Sequence, residues 1–406
     1  MSGLVLYDDA VARHFEPFAL TRPIGEMRAG AKLMRQRWEH ALKTRASGFV
    51  SAEHLATFDE LDAPPYVTGT LRKGTVLANS RFAPVLAAVA SGDVWSSSGR
   101  VVAVALARDV ELKELKDGRV ALEEFVPRSA RRIEVTGVWM DQVWDFLVHL
   151  NHQLATDIEV LSKGARPAEG VASSGTHGVF VEENVTIEPF VFFDCSGGPV
   201  LIRRGATVLA NSRIAGPCVI GVESVVGVDK ISGCSIGDHC KVHGELSASI
   251  ILGHANKAHD GFVGNSYLGR WVNLGAGTIT SNLKNTYGSV SLWTPLGERD
   301  TGMQFVGTLF GDHVKTGIGS TLTTGSVIGA GAQIWGTRTA PKVVPPFAWG
   351  EEAPYATYSI GKFLEVARRV MSRRHVELSE KQAATLSAAH KKRWKLKPEK
   401  SRKGSK

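Results

Sequence analysis

The stretch Ile250–Asn282, IILGHANKAHDGFVGNSYLGRWVNLGAGTITSN, carries the rhythm that decides the fold. Apolar residues stand six apart at Phe262, Leu268 and Leu274, and a glycine follows each of the last two. This spacing fits neither the 3.6-residue period of an α-helix nor the two-residue period of a strand. It requires a backbone that turns a corner every six residues.

The same rhythm recurs from Val179 to Ile334, with interruptions near Gly197 and from Thr280 to Met303. The chain holds 43 glycines in 406 residues, and they concentrate in this part. One short strand and one corner per hexad give a three-sided coil of about 18 residues with aliphatic side chains inside, the left-handed parallel β-helix of hexapeptide repeats. Flat sides of such a solenoid favour closed cyclic assembly, so we predict a homotrimer.

The residues before the repeat predict a layered α/β domain, because strand and helix patterns alternate there. The predicted division is 1–165 for this domain, 177–345 for the β-helix, and 346–406 for a capping segment, a helix over Ser359–Arg374 and a basic tail. The other predicted elements are strands at Leu4–Tyr7, Gly48–Val50, Tyr66–Thr68 and Val101–Ala107, and helices at Leu33–Leu42 and Met140–Ile158.

Composition narrows the class of protein. The net charge of +8 owes much to the tail from Lys381, which we interpret as solvated and disordered rather than as a nucleic-acid site. No apolar run is long enough for a membrane span, and acidic residues directly after Tyr7 argue against a signal peptide, so we expect a cytoplasmic protein. The four cysteines form no CxxC pair and are expected to be small buried residues, with no metal site.

His259 is the residue whose chemistry stands out. In an 18-residue coil Gly277 would lie beside it, and Asn273 and Asn282 would offer amide groups nearby. An imidazole can take a proton from an attacking amine near neutral pH. A corner histidine that bonds only to backbone is the plain alternative.

At this point the residues resemble a family. His259, Phe262, Gly264, Val272–Thr278 and Asn282 are similar in type and spacing to the acetyltransferase half of GlmU-type enzymes, which are N-acetylglucosamine-1-phosphate uridyltransferases and glucosamine-1-phosphate N-acetyltransferases. The whole chain resembles a bacterial branch of sugar nucleotidyltransferases. That resemblance is carried by the motifs at Thr21–Arg28, Asn256–Phe262, Gly311–Gly317 and Arg369–Arg374.

The resemblance implies an acetyltransferase that moves the acetyl group of acetyl-CoA to an amino-sugar phosphate in UDP-N-acetylglucosamine biosynthesis. It implies that His259 is the general base. It further assigns the amino-sugar site to Phe262, Asn273, Asn282 and Lys257. It places acetyl-CoA in a groove of Gly311–Ser320 and Ala330–Gly336, with binding residues Gly277, Lys315, Gly317, Gly336 and Arg338.

For residues 1–165 the resemblance implies a reduced nucleotidyltransferase-like domain that binds a nucleoside triphosphate. Arg22, Glu26 and Arg28 are its predicted nucleotide-binding residues, and Asp8 with Asp9 would hold Mg²⁺. The chain departs from the family in two places. No Gly-rich phosphate loop follows Tyr7, and Ser247–Ile251 lacks the usual basic residues that hold the sugar phosphate, so Lys241 or Lys257 would have to replace them.

Two other interpretations remain open. His254 and His259 are five apart, and Cys218 lies 36 residues before His254, which is similar to the zinc-ligand spacing of γ-type carbonic anhydrases. The other interpretation is a non-catalytic, trimeric scaffold that binds sugar nucleotides.

Overall fold

A six-stranded sheet forms the centre of the N-terminal part of the computed structural model, which describes residues 3–396. Its first strand, Leu4–Tyr7, is buried along its length and pairs in parallel with Ala46–Val50 on one side and Val76–Asn79 on the other. The carboxyl ends of these three strands therefore meet at one edge. In space the strands are ordered Arg132–Glu134, Val94–Ser97, Arg100–Ala105, Val76–Asn79, Leu4–Tyr7 and Ala46–Val50.

The α-helices of this part are α1 (Met34–Leu42), α2 (Asp145–Val148) and α3 (Leu150–Leu161). The single helix predicted over Met140–Ile158 is wrong, because the backbone leaves the helix at His149 (φ −90°, ψ −1°) and α2 is only four residues long. The predicted strand at Tyr66–Thr68 is reduced to a bridge between Tyr66 and Phe49. Short strand pairs join Arg28–Ala29 to Lys32–Leu33, Thr70–Leu71 to Val110–Glu111, and Phe82–Pro84 to Gly137–Trp139. The 3₁₀ helices are Ala12–His14, Ile24–Glu26, Glu53–Leu55, Leu112–Gly118, Leu122–Phe125 and Ser162–Gly164.

A three-sided parallel β-helix follows, as the hexad rhythm predicts. Its first side, face A, is a ten-stranded sheet. The strands of face A are Arg166–Pro167, Val179–Val181, Val200–Ile202, Cys218–Ile220, Ser235–Ile236, Ile250–Ile251, Tyr267–Leu268, Thr308–Phe310, Ser326–Ile328 and Val343–Val344. The first of these pairs antiparallel to the second, and all later pairings on face A are parallel.

Faces B and C complete each coil, and the chain runs from face A to face C to face B. The strands of face B are Ala172–Gly175, Phe192–Cys195, Ser212–Ala215, Asp229–Ser232, Leu246–Ser247, Val263–Gly264, Ile279–Thr280 and Thr321–Leu322. Those of face C are Thr186–Ile187, Thr207–Val208, Val225–Gly227, Lys241–His243, Asn256–Lys257, Lys315–Thr316, Gln333–Ile334, Ala348–Gly350 and, antiparallel to the last, Ala356–Thr357. Bridges of Asn273 to Asn256 and to Lys315 make face C continuous.

The coils are not uniformly 18 residues long. Ser235 pairs with Ile250, 15 residues on, whereas Ile250 pairs with Tyr267 and Val179 with Val200. The corner loops therefore vary in length while the inward aliphatic residues stay aligned. Those residues form one continuous core that includes all four cysteines, which are free and buried.

Face A is covered on its outer side by the N-terminal part. Phe18 and Phe146 pack on Tyr267 at ring distances of 4.7 and 5.8 Å. The same apolar cluster contains residues of face A and residues of the N-terminal part. Those of face A are Leu201, Val219, Ile250, Leu252, Leu309 and Val327, and those of the N-terminal part include Ile24, Met27, Leu150 and Leu154. The N-terminal part of the same chain thus covers one flat side of the solenoid, and only faces B and C remain uncovered by it.

The interruption of the repeat is a hairpin of Ser291–Thr294 and Gly297–Asp300. After the last coil, α4 (Ile360–Ser372) confirms the predicted amphipathic helix. The interpretation of the chain from Lys381 as a solvated tail is wrong as far as α5 (Glu380–Lys392), which buries Leu386 and Ala389. The rest of the predicted tail, from residue 397, lies outside the described residues. None of the helices in residues 3–396 has the length and apolar character needed to cross a membrane.

Candidate active site

His259 lies at the corner where the coil passes from face C to face B, between the strands Asn256–Lys257 and Val263–Gly264. Its side chain is exposed, and within the described residues its imidazole ring makes no hydrogen bond. The His259 carbonyl, in contrast, accepts a hydrogen bond from Lys257 Nζ at 3.1 Å. The ring is therefore free to meet a ligand, and its position depends on the backbone that carries it.

Gly277 is not directly beside His259. Asn256 pairs with Asn273, and Gly261 packs against Thr278, so the local offset between coils is 17 residues on both sides of the corner. Ala276 is thus level with His259, and Gly277 N donates to Asp260 O at 2.9 Å. The 18-residue stacking is wrong here by one residue, but a small residue still faces the histidine.

Phe262 and Asn282 come together over Gly264 on face B. A Cβ at Gly264 would collide with the Phe262 ring and would lie 2.8 Å from Asn282 Nδ2. The amide of Asn282 donates to Asn265 Oδ1 at 2.8 Å. Glycine at this position therefore allows an aromatic ring and an amide to share a small area next to the His259 corner.

Asn273 lies on the other side of the corner, on face C. Its Oδ1 accepts a hydrogen bond of 3.0 Å from Asn256 Nδ2, and both side chains are half-buried. The predicted amino-sugar residues are thus divided between two faces that meet at His259. A ligand at that corner could touch both.

Lys257 does not point outward, contrary to its predicted role in the substrate site. It is 3% exposed, and its Nζ donates to His243 O at 2.6 Å as well as to His259 O. Burial lowers its pKa to about 8, although the nearby Asp260 carboxylate opposes this. This lysine belongs to the interior of the coil.

The edge that carries His259 continues upward through positions without bulky side chains. Gly319 N donates to Ala276 O at 2.7 Å, so Gly319 sits one coil above. The next coil forms a cavity of about 170 Å³ lined in part by Ser320, Gly336 and Arg338. The two segments predicted to form the acetyl-CoA groove therefore meet on the same edge as His259. Within this cavity Arg338 is exposed and paired with Glu352.

Two other predicted acetyl-CoA residues are less accessible. Lys315 Nζ is turned toward Trp271 O at 3.4 Å, and residues of α4 lie close to its side chain. Burial lowers the pKa of Lys315 to about 8. Gly317 lies under the Trp335 side chain and between coils. Lys315 would have to swing outward to reach a phosphate.

Arg22 is not available to a nucleotide. It is 1% exposed, and its Nε donates to Asp312 at 2.8 Å while its Nη1 donates to Glu60 at 2.9 Å. Thr21 Oγ1 also donates to Asp312, at 2.7 Å. The guanidinium of Arg22 is instead committed to a contact between the N-terminal part and the β-helix, where it does not face a nucleotide site.

The other two residues of that motif are also buried. Glu26 binds Arg35 Nε at 2.5 Å, so its carboxylate has a partner. Arg28 donates to Ala31 O at 2.8 Å, and its backbone N–H donates to the Tyr267 hydroxyl at 2.7 Å. The Thr21–Arg28 segment therefore docks the N-terminal part on face A. The segment itself carries no signal for this docking, because the aspartate that it meets lies in the Gly311–Gly317 motif, 290 residues away.

Mg²⁺ does not fit the carboxylates predicted to hold it. Asp8 Oδ2 accepts hydrogen bonds from Ser51 Oγ at 2.6 Å and from Ile24 N at 3.1 Å. The Asp9 carboxylate is held by Arg81, with donor distances from 2.7 to 3.1 Å. Hard cations need carboxylate oxygens that are free to coordinate. Asp8 Oδ2 and both carboxylate oxygens of Asp9 already accept hydrogen bonds from protein donors.

The zinc interpretation fails on position. His254 is buried and stacked between His239 and Trp271 at 4.8 and 4.5 Å, on the corner between faces A and C, whereas His259 is on the next corner. Cys218 faces the core. Across residues 3–396 no group of three histidine, cysteine, aspartate or glutamate side chains could hold a metal ion.

We expect Mg²⁺ to leave the thermal unfolding of the protein unchanged, because a ligand shifts the midpoint only if it binds the folded state. Melting curves in EDTA and in MgCl₂ should superimpose. Asp9→Asn should lower the midpoint equally in both, since it weakens the partner of the buried Arg81. An increase with Mg²⁺ that Asp9→Asn abolishes would contradict this assignment.

Sequence reasoning missed a cavity of about 610 Å³ beside the carboxyl edge of the parallel strands. It is lined by His14, Arg81, Arg100 and Trp144, and by hairpin residues that include Arg299. Arg81 and Arg100 both pair with Asp141, and Arg100 stacks on Trp139 at 3.8 Å. Ligands of open α/β sheets bind at this edge. Its walls come from two distant parts of the chain, so no local sequence motif indicates this cavity.

Comparison with known proteins finds a family model that matches the N-terminal part, and relatives that match a larger share of the chain. Residues 4–166 match the family model described as sugar nucleotidyl transferase. The bifunctional protein GlmU of Bartonella quintana is 28% identical over 174 residues, which cover 41% of this chain and 33% of that protein. The bifunctional sugar-1-phosphate nucleotidylyltransferase/acetyltransferase of Sulfurisphaera tokodaii is 34% identical over 91 residues, 22% of this chain and 23% of that protein.

A GlmU of Nostoc sp. is 24% identical over 222 residues, which cover 48% of this chain and 45% of that protein. The chain thus spans less than half the length of the curated relatives it matches. The GlmU relatives are named as bifunctional proteins, and the Sulfurisphaera tokodaii relative is named as both a nucleotidylyltransferase and an acetyltransferase. The chain is similar to bifunctional GlmU proteins over part of their length, and its residues 4–166 match a sugar nucleotidyl transferase domain.

Proposed function

We propose that this protein transfers the acetyl group of acetyl-CoA to the amine of an amino-sugar phosphate of the glucosamine 1-phosphate type. The observation that supports this most is the shared edge. An exposed histidine, two corner positions with small residues and the cavity with Gly336 and Arg338 follow one another along it. Successive coils are about 4.8 Å apart, so this edge offers an elongated track suited to an elongated donor.

In the proposed reaction the substrate amine attacks the acetyl carbonyl carbon. His259 takes a proton from the amine as the N–C bond forms, and the C–S bond then breaks to release CoA, whose thiolate is protonated by the imidazolium. Backbone N–H groups along a glycine-rich corner could stabilise the tetrahedral oxyanion. No covalent intermediate on the enzyme is needed.

Phe262, Asn273 and Asn282 would bind the amino sugar from both sides of the corner, and Gly277, Gly336 and Arg338 would bind acetyl-CoA. Lys241, which is exposed on face C one coil below Asn256, would be the nearest basic residue for the sugar phosphate. Gly317 and Lys315 would support this groove from below.

We further propose a homotrimer assembled through faces B and C. Face A is already covered by the N-terminal part, whereas Ile279 and Ile318 beside the His259 edge are 45% and 78% exposed. Association would bury these side chains and would bring a second subunit against the His259 ring. The proposed division is 1–165, 177–345 and 346–406, with any nucleotide bound in the N-terminal domain at the carboxyl-edge cavity.

The test is acetyl-CoA turnover with a panel of amino-sugar phosphates that includes glucosamine 1-phosphate. Release of CoA thiol would be measured, and the acetylated product would be identified by mass spectrometry. Transfer to at least one amine of the panel is expected. If the rate of CoA release equals that of a protein-free blank with every acceptor, and no acetylated product forms, the proposal is overturned and the non-catalytic scaffold is favoured.

A further inference from the structure

The interior of face C contains one residue that does not suit it. Its inward column is aligned by strand pairing and contains one lysine among residues that are otherwise aliphatic except for Thr316. The members of the column are Ile187, Val208, Val226, Val242, Lys257, Leu274, Thr316 and Ile334. An ammonium group inside such a column is costly because it gives up its hydration.

The lysine side chain runs from the core to the His259 corner. Its Nζ lies between the carbonyls of His243 and His259, at 2.6 and 3.1 Å, and so joins two successive corners. Gly244 makes room for it, since a Cβ there would lie 2.8 Å from the ammonium. Gly244 also has φ +78°, which other residues rarely adopt.

Few other contacts fix the histidine. Its ring has no hydrogen-bond partner in residues 3–396. The carboxylate of the neighbouring Asp260 lies 3.7 Å from His243 Nε2, but its side chain is 91% exposed, and exposed ion pairs contribute little. The backbone is held by Gly277 N on the Asp260 carbonyl and by Lys257 on the His259 carbonyl. A general base loses much of its effect when it is displaced by about 1 Å.

We propose that Lys257 is a positioning residue for His259, which holds the corner in place by bridging the His243 and His259 carbonyls from inside the coil. This rests on the proposed function of His259. The charged groups that face the ammonium are Asp260 on its own corner and Asp229 and Glu245 from the earlier coils, with His243 beside them. Their carboxylates favour the ammonium form, which donates to both carbonyls.

The experiment compares Lys257→Met, which keeps an unbranched apolar side chain but removes the ammonium group, with Lys257→Arg and with Val226→Ala. Val226 is a buried member of the same column two coils away, so it controls for loss of core packing. Acetyl transfer to the best acceptor of the panel gives kcat and KM. Hydrogen exchange of the full-length protein, without ligand, reports on the backbone from 256 to 264.

We expect Lys257→Met to lower kcat about 10- to 100-fold with little change in the KM for acetyl-CoA. Amide exchange at the corner should become faster, whereas Val226→Ala should lower stability without either change. Lys257→Arg should restore part of the kcat, since a guanidinium can also donate to two carbonyls. The wild-type kcat should fall at alkaline pH as Lys257 loses its proton, and this fall should be absent from Lys257→Met.

Unchanged hydrogen exchange in Lys257→Met would overturn the proposal, whatever the protein catalyses. So would a wild-type kcat in that variant when His259→Ala is inactive. If instead His259→Ala keeps its activity, it is the proposed function that fails, and the exchange result still decides whether Lys257 holds the corner.

Discussion

Replacement of His259 by alanine is expected to lower kcat for acetyl transfer by about 10²-fold or more, as removal of a general base does. The substrate amine would then have to lose its proton to water as it attacks the thioester. Because the side chain is exposed and its ring makes no hydrogen bond in the described part of the chain, the protein should stay folded. The measurement is steady-state CoA release with the acceptor that gives the highest wild-type rate.

The matched control is His177→Ala. His177 is also an exposed histidine of the solenoid, but it lies in the first coil, far along the chain from the site. It should leave kcat and the melting midpoint unchanged. Equal rates for wild type and His259→Ala would remove the histidine from the mechanism and, with it, the strongest reason for an acetyltransferase.

The hexad rhythm predicted the solenoid because each hexad encodes its own strand and corner. The inward residues at Val208, Val226 and Val242 are local features of the chain, and stacking only repeats them. The exact neighbour of His259 could not be predicted in this way. When a coil is one residue shorter, a different residue of the next coil lies above His259. The corner loops can vary in length in this way, and the sequence does not show where they do.

The C-terminal helix α5 shows how charge can obscure a pattern. Lys381, Lys391 and Lys392 suggested a solvated tail. Yet Gln382, Leu386 and Ala389 recur at four- and three-residue spacing and lie on the buried side of α5, with Ser379 Oγ accepting a hydrogen bond from Gln382 N. The lysines occupy the solvent side, where they do not oppose the helix.

The role of the Thr21–Arg28 segment could not be read from the segment itself. A buried arginine and a phosphate-binding arginine look the same in sequence, and the partner that distinguishes them, Asp312, is 290 residues away. In the sequence, the Gly311–Gly317 motif is distinguished only by its resemblance to the family. The structure shows instead that the two motifs meet. A contact across that distance is visible only once both domains are folded.

The contact of Arg22 with Asp312 links the N-terminal part to the coil of the proposed active site through Arg270. Asp312 Oδ1 accepts a hydrogen bond from Arg270 N at 2.8 Å, and Arg270 Nε is 3.0 Å from Glu60. Asn273 follows three residues after Arg270 on the same coil. Arg22, Asp312, Arg270 and Glu60 therefore fix the corner that precedes Asn273, so the N-terminal part contacts the coil that carries the proposed acetyl-transfer site.

Arg22→Met should destabilise the protein by about 3–5 kcal/mol, the range found when one partner of a buried ion pair is removed. The guanidinium is 1% exposed, and its loss leaves the Asp312 and Glu60 carboxylates, which are 3% and 6% exposed, short of a partner. Arg270 can compensate only in part, because it already binds Glu60. Urea denaturation at pH 7, followed by tryptophan fluorescence, gives the change in free energy of unfolding.

The control is Arg72→Met. Arg72 pairs with Asp109 at a similar distance of 2.8 Å, but its side chain is 79% exposed, and exposed pairs contribute about 0–1 kcal/mol. The two variants thus remove the same group from the same kind of pair and differ in burial. Equal effects of both would show that the buried network does not hold the N-terminal part on the β-helix.

The stability difference between wild type and Arg22→Met should depend on pH, because the buried network contains the carboxylate of Glu60. Burial would raise the pKa of Glu60, but Arg22 and Arg270 lower it to about 2, below its ordinary value of 4.5. A carboxyl with a lowered pKa stabilises the fold fully above its unfolded pKa, and this contribution is lost as pH falls from 4.5 toward 2. The deficit caused by Arg22→Met should therefore be full at pH 6 and shrink as the pH is lowered below 4.5. A deficit that stays constant over that range would mean that the methionine variant is weakened by packing rather than by the loss of charge on its buried partners.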